Sequence, residues 1–343
     1  GGLLDVVLSP DFKQDRTVYL SYAEGGGEGG TAGTAVGRGQ LSEDLRTLNN
    51  FKVIFRQEPK LSTGNHFGSR LVFDRDGYLF IALGENNDRP TAQDLDKLQG
   101  KIVRIYPDGK VPDDNPFVGQ PGVRPEIWSY GQRNPQGMAL NPWTGVLWEN
   151  EHGPKGGDEL NIIERGKNYG WPLIHGFCDE TFENTPCATG LYTEPIHAWT
   201  PTIATSDLVY YDNPGFPEWD NRVLMVTLNG QRLVAMELDA STSSVADEDQ
   251  YLQGQFGRLR DIAIGPNMEI YIATNSGNNP IIRITPPSVV GVNELSLQPS
   301  MVLPNPGEFY IKIASPHRAE QVTILDLNGK SVMELKQVEP GTQ

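Results

Sequence analysis

Four short stretches hold residue types that can do chemistry. GNHFGSRLVF places His66 just ahead of a strand-like run, between Gly64 and Gly68. An imidazole there can act as a base near neutral pH, and the flanking glycines let a ligand approach the backbone. YGQRNPQGMALNP crowds Arg133, Asn134 and Gln136 into one turn. A guanidinium with two carboxamides is a donor set suited to carboxylates or carbonyl oxygens. In ENEHGPKGGDELN, Gly153 and Pro154 can offer carbonyls, and Asp158 and Glu159 supply hard oxygens of the kind calcium takes, without the spacing of an EF-hand loop. In GRLRD, Arg258 and Arg260 fall on one side of an extended segment and suit an anion with several carboxylates. Each stretch alone has a plain structural alternative: a hydrogen-bonded histidine, an arginine on loop carbonyls, an acidic turn, a solvated strand face.

Something must bring these stretches together. Five segments share a pattern of alternating strand, turn and second apolar strand ending in a polar tip, starting at residues 5, 70, 137, 207 and 261. The turns carry the Pro, Asp, Asn and Gly expected of hairpins. One hairpin cannot bury both faces, but four-stranded blades packed around an axis can. Residues 1–284 therefore read as most of a β-propeller, with the second strand of each hairpin near the axis and its tip at one mouth of the channel. A β-sandwich or jelly roll is the alternative, but neither predicts five similar tips. Residues 285–291 form a proline-bearing linker. Residues 292–343, with EFYIKI and QVTILDL between Pro and Asn-Gly turns, read as a small β-sandwich-like module that stops short of a natural end.

Bulk properties agree. The chain has 343 residues with 38 Gly and 26 Pro, which leaves little room for long helices. A net charge of −16 argues against nucleic acid and anionic membrane surfaces as partners. No apolar run reaches the length of a membrane span. Cys178 and Cys187 lie in one polar loop. A disulfide between them would contribute roughly 2.5–3 kcal/mol by loop entropy and favours an exported protein; reduced surface thiols are the alternative.

The segments GGLLDVVLSPDF, NHFGSRLVFDRDGYLFIALGE, LQGKIVRIYPDG, SYGQRNPQGMALNP, ENEHGPKGGDELNIIERGKNYGWP and GRLRDIAIGP together resemble the soluble glucose/sorbosone dehydrogenase family across residues 1–284. These are six-bladed propeller quinoproteins that use pyrroloquinoline quinone (PQQ) and calcium, and they include the soluble aldose sugar dehydrogenases. The resemblance implies an enzyme oxidising the C1 hydroxyl of aldoses to lactones, with an unidentified electron acceptor. It makes His66 the base and passes hydride from C1 to C5 of PQQ. Arg133 would stabilise charge on the C5 oxygen. Asn134 and Gln136 would position the quinone, Thr202 would contact the cofactor, and Arg258 and Arg260 would pair with its carboxylates. The carbonyls of Gly153 and Pro154 would ligate a calcium that touches PQQ. Glu159 and Tyr169 match positions associated with a second, structural calcium.

The chain departs from the family pattern at several points. Asn229 stands where a PQQ-contacting Lys is usual, Glu85 where Asp is common after Gly84, and Asn275 where Asp is frequent. The strands that should precede Gly1, with a substrate-side Gln, are absent, so the expectation is a six-bladed propeller with its sixth blade missing or split. The tail resembles the C-terminal sorting domain of proteins exported by the type IX system. That implies secretion, a periplasmic location or surface attachment. A non-catalytic binding propeller, favoured by Asn229, and a calcium-dependent lactonase or hydrolase remain the rival functions.

Overall fold

The structure, a computed structural model, describes residues 2–26, 29–142, 144–239, 244–286, 319–325 and 331–338. The chain divides into two compact units, Gly1–Thr202 and Ile203–Gln343. The first unit holds three four-stranded antiparallel sheets. They are β1 (Leu3–Leu8), β2 (Thr17–Gly25), β3 (Ala32–Leu41) and β4 (Leu48–Arg56); β5 (Gly68–Phe73), β6 (Leu79–Leu83), β7 (Lys101–Ile105) and β8 (Ile127–Tyr130); and β9 (Pro135–Leu140), β10 (Leu147–Glu151), β11 (Asp158–Ile163) and β12 (His197–Trp199). The second unit holds β13 (Thr205–Tyr211), β14 (Arg222–Thr227), β15 (Leu233–Leu238) and β16 (Val245–Tyr251), then a three-stranded sheet of β17 (Leu259–Ile264), β18 (Ile270–Thr274) and β19 (Ile281–Ile284). Each sheet is a meander with its strands in chain order. β20 (Ala319–Leu325) and β21 (Ser331–Val338) pair only with each other.

The fold is an all-β propeller of five blades, which corrects the expectation of six. Each of the five hairpin repeats heads one sheet, and the two described strands outside them, β20 and β21, form only a hairpin. On β1, Leu3, Val6 and Leu8 are exposed. Most of the 292–343 module lies outside the described residues; of it only the β20–β21 hairpin is described. Among the described residues, no helix is long and apolar enough to cross a membrane. Cys178 and Cys187 form a disulfide.

The packing follows from strand periodicity. β6 reads LFIAL and is buried on both faces. Leu79, Ile81 and Leu83 join a core with Tyr19, Val36 and Phe55 of the first sheet. Phe80 and Ala82 turn the other way, into a core with Met138, Leu147 and Ile163 of the third. Side chains alternate faces along a strand, so one short apolar run feeds two inter-sheet cores. Each large residue so buried contributes roughly 1.5–3 kcal/mol relative to exposure. In the second unit, Leu224, Val226, Leu233, Leu259 and Ile270 join the fourth and fifth sheets in the same manner.

The first strands, not the second as expected, are the ones that face their counterparts: β1 lies against β5, β5 against β9, and β13 against β17. Each first strand also loses register with its neighbour near its head. The shifts fall at Leu3/Asp5, Gly68/Leu71, opposite Asn150/Glu151, at Thr205/Leu208 and at Leu259/Asp261. Opposite Asn150 and Glu151 the skipped residue is Gln136. Such bulges bend a strand and re-aim the side chains at its end. Carboxylates tie neighbouring first strands across these bulges: Asp5 accepts from Leu71 N at 2.8 Å, and Asp207 from Ile262 N at 3.3 Å.

Candidate functional site

His66 sits just before β5 in the left-handed region, φ 53°. Its carbonyl accepts from Asn86 N at 3.2 Å and Asn86 Nδ2 at 2.9 Å. The chain can approach this closely only at Gly84, where a Cβ would lie 2.1 Å from the His66 carbonyl oxygen. Gly68, at φ +63°, serves the same crossing: its Cβ would meet Gly84 N at 2.7 Å. So Gly68 makes room for chain rather than ligand, and Gly64 has open space around it.

The imidazole meets a carboxylate that the sequence reading noted only as a departure. His66 Nδ1 lies 2.6 Å from Glu85 Oε2, and Glu85 is 1% exposed. The carboxylate fixes the tautomer with hydrogen on Nδ1, so Nε2 is the nitrogen able to accept a proton. The His66 side chain is 18% exposed, enough for a substrate to reach it.

The next first strand brings Arg133 alongside. Glu85 N donates to the Arg133 carbonyl at 2.9 Å. The guanidinium donates from Nη1 to His152 O at 2.9 Å and lies over the Trp171 ring at 5.1 Å; its buried Nε has no hydrogen-bond partner among the described residues. Burial lowers the Arg133 pKa, Glu85 and Glu151 oppose that, and the nearby Arg89 charge adds to it. Asn134 is buried and accepts on Oδ1 from Gly68 N at 3.4 Å. Gln136, in the bulge, donates from Nε2 to Pro135 O at 3.2 Å, and its carbonyl accepts from Arg70 Nε at 2.6 Å.

Glu151 anchors this turn. Its Oε2 accepts from the backbone N–H of both Arg133 and Asn134, the latter at 2.9 Å. Burial pushes the Glu151 and Glu149 carboxyls well above the usual range. Gly153 N donates to Asp158 Oδ1 at 2.8 Å, and a Cβ on Gly153 would lie 2.1 Å from Gly156 O, so this turn closes tightly on glycine. The carbonyls of Gly153 and Pro154 accept no hydrogen bond among the described residues. Thr202 N donates to Lys155 O at 3.3 Å, which sets Thr202 beside the same turn.

Glu159 and Tyr169 are engaged elsewhere. Glu159 accepts from Gly176 N at 2.6 Å and Asn161 Nδ2 at 3.1 Å, and burial pushes its carboxyl up to about 7. The Tyr169 hydroxyl donates to Ile162 O and accepts from Glu164 N at 2.9 Å. Among the described residues, no group of three or more His, Cys, Asp or Glu has metal-binding geometry.

The second unit holds the remaining candidates. Asn229 is exposed in the turn between β14 and β15, which Ala204 O and Ile203 O fix through Leu228 N and Gly230 N at 2.8 and 2.7 Å. Arg258 precedes β17, its N donating to Ser276 Oγ at 2.7 Å. Arg260 lies in the bulge, its carbonyl accepting from Ser206 Oγ. The alternation expected to align Arg258 with Arg260 is interrupted there.

Sequence reasoning also passed over Lys101. It is fully buried and donates from Nζ to the carbonyls of Thr91, Ala92 and Gln99 at 2.9, 3.0 and 2.6 Å. It thereby fixes the segment that follows Glu85. The signal was a charged residue opening a short strand, KIVRI, that is otherwise apolar except for Arg104. Burial lowers its pKa to about 7, against about 10.4 unfolded. Between those values the unfolded chain holds a proton that the folded one lacks, so this contribution to stability grows as pH rises. Lys101→Met leaves Gln99 O without a donor, while Thr91 O and Ala92 O keep those from Asp94 N and Gly131 N, and is expected to lower unfolding free energy by ~1–3 kcal/mol. In urea titrations the gap to wild type should widen between pH 7 and 9, by up to about 1.4 kcal/mol per pH unit.

Comparison with known proteins places this geometry among relatives. Residues 1–283 match the family described as Glucose / Sorbosone dehydrogenase. The aldose sugar dehydrogenase YliI of Escherichia coli is 50% identical over 290 residues, covering 83% of this chain and 77% of that protein. The crystal structure of the soluble aldose sugar dehydrogenase from Escherichia coli in its apo form superposes with a TM-score of 0.74 at 52% identity, covering 80% of each chain. The PQQ-bound form of aldose sugar dehydrogenase from Streptomyces coelicolor gives 0.67 at 30% identity, covering 82% of this chain and 79% of that one.

Proposed function

The chain belongs to the glucose/sorbosone dehydrogenase family, and on that premise we propose that it oxidises the C1 hydroxyl of aldose sugars to lactones with PQQ and calcium. Membership and these relatives make it an oxidoreductase, a sugar dehydrogenase. The finer reading is carried by the His66–Glu85 pair set against the Arg133 turn.

The residues present fit the cofactor. A buried guanidinium nitrogen and the buried Asn134 carboxamide suit a quinone's oxygens, and two backbone carbonyls suit a calcium ion; among the described residues that nitrogen has no acceptor and those carbonyls no donor. Bound there, PQQ would supply the two-electron acceptor that side chains lack. His66 Nε2 accepts the proton of the C1 hydroxyl while Glu85 holds the ring and balances the charge it gains. Arg133, fixed by His152 O and the Trp171 face, stabilises negative charge beside it. Asn134 and Gln136 would orient the cofactor, the carbonyls of Gly153 and Pro154 would hold the calcium, and Thr202, Arg258 and Arg260 would contact PQQ. Asn229 brings no positive charge to the position usually held by Lys. Turnover would also require an external electron acceptor.

The same proposal keeps residues 1–284 as the catalytic domain, 285–291 as a linker and 292–343 as a sorting-type module. Action outside the cytoplasm is supported by the Cys178–Cys187 bridge.

Reconstitution tests the reading. Metal-free protein is given PQQ, calcium, both or neither, and dye reduction is followed with a panel of aldoses. Turnover is expected only with both additions. Equal turnover without PQQ would end the quinoprotein reading, and absence of both turnover and PQQ binding would favour a non-catalytic propeller.

A further inference from the structure

Arg89 is an exposed arginine without an ionic partner, held at the edge of the His66 site. Among the described residues no carboxylate lies within ion-pair distance of it, and its guanidinium carbon lies 5.4 Å from the centre of the Trp171 ring. The same indole carries Arg133 at 5.1 Å. Two guanidiniums therefore share one aromatic face system beside the proposed base, and Trp171 itself is only 4% exposed.

The segment that presents Arg89 is fixed at both ends. It leaves directly from Glu85 and Asn86, which hold His66. Asp88 N donates to Glu85 O and Thr91 N to Asp88 O, each at 3.0 Å. Beyond it, Lys101 holds the carbonyls of Thr91 and Ala92, and Gln93 Nε2 donates to Trp171 O at 2.7 Å. A long cationic side chain usually pays for its freedom in mobility; here the backbone beneath it is set and the indole braces the head.

The surroundings make this unusual. A chain of net charge −16 repels anions at a distance, so an anion can be admitted only by local contact. Two neighbouring arginines also repel each other, and an oxyanion between or beside them relieves that repulsion while using the planar fork of Arg89.

We propose that Arg89 selects aldoses bearing an oxyanion away from C1, a hexuronate carboxylate or a sugar phosphate, and grips that group while C1 faces His66. The inference rests on the sugar-oxidising reading and names its substrate class.

The test compares glucose, glucuronate and glucose 6-phosphate as substrates of the PQQ- and calcium-loaded protein, wild type against Arg89→Gln. Binding of the same three sugars to cofactor-free protein is read by saturation-transfer NMR. In wild type the anionic sugars should exceed glucose in kcat/KM by roughly tenfold or more, and the substitution should remove that advantage while glucose stays within about threefold. The difference between the two anions tells carboxylate from phosphate. Equal losses for glucose and the anions, or weaker PQQ binding by fluorescence titration, would make Arg89 a prop or a cofactor ligand and overturn the proposal. So would an unchanged preference. If no sugar is oxidised, the dehydrogenase reading is what fails; the NMR comparison still decides whether Arg89 binds the anion.

Discussion

Replacing His66 by alanine is expected to lower aldose oxidation by about 10²–10⁴-fold while PQQ affinity changes little. The reasoning starts from the backbone. His66 occupies a left-handed conformation at the head of β5, held by Asn86 and by the close pass of Gly84. Those contacts involve main chain, so truncating the imidazole leaves them in place and the variant should fold. What disappears is a ring whose Nδ1 is committed to Glu85 and whose Nε2 is the proton acceptor. Stopped-flow reduction of the loaded protein by sugar measures the loss directly, and fluorescence titration measures cofactor binding. Turnover close to wild type would remove His66 from the mechanism.

Arg133→Lys should cost roughly 10²–10³ in kcat, although charge is conserved. The guanidinium here does three things at once: it donates to His152 O, sits over the Trp171 ring and keeps Nε buried. An ammonium is a compact point charge that cannot reproduce a planar, stacked donor. The backbone of the turn would survive, because Glu151 binds the N–H groups of residues 133 and 134 whatever the side chain. The loss should therefore appear in kcat more than in thermal stability. A lysine variant with wild-type kcat would show that a nearby positive charge suffices and that orientation contributes nothing.

Much of this fold could be read from the chain. The repeat starts at 5, 70, 137, 207 and 261 fall within two residues of the heads of β1, β5, β9, β13 and β17 at Leu3, Gly68, Pro135, Thr205 and Leu259. Alternation and turn residues are local signals, and hairpins are local structures. Which strand faces its counterpart is not local, and there the expectation was reversed. The candidate site divides in the same manner. His66 and the Arg133 turn stood out because their residue types are unusual for their settings. Glu85 became a partner of His66 only through the register that sets Gly68 against Leu83, and Glu151 became an anchor only because Gln136 is skipped opposite it. A carboxylate at the end of an apolar strand looks like a solvated terminus until the neighbouring strand is known. Lys101 was hidden for a related reason: its partners are carbonyls, which every sequence has.

The irregular heads of the first strands bear on how such a protein can diverge. Gln136 and Arg260 lie where pairing slips, so their side chains are not part of the regular cross-strand ladder that holds each sheet. Replacement there need not disturb the strands behind it. Descendants of one ancestor could thus exchange the groups presented to a ligand while inheriting the same scaffold unaltered. Selection for a new substrate and selection for folding would then act on different residues.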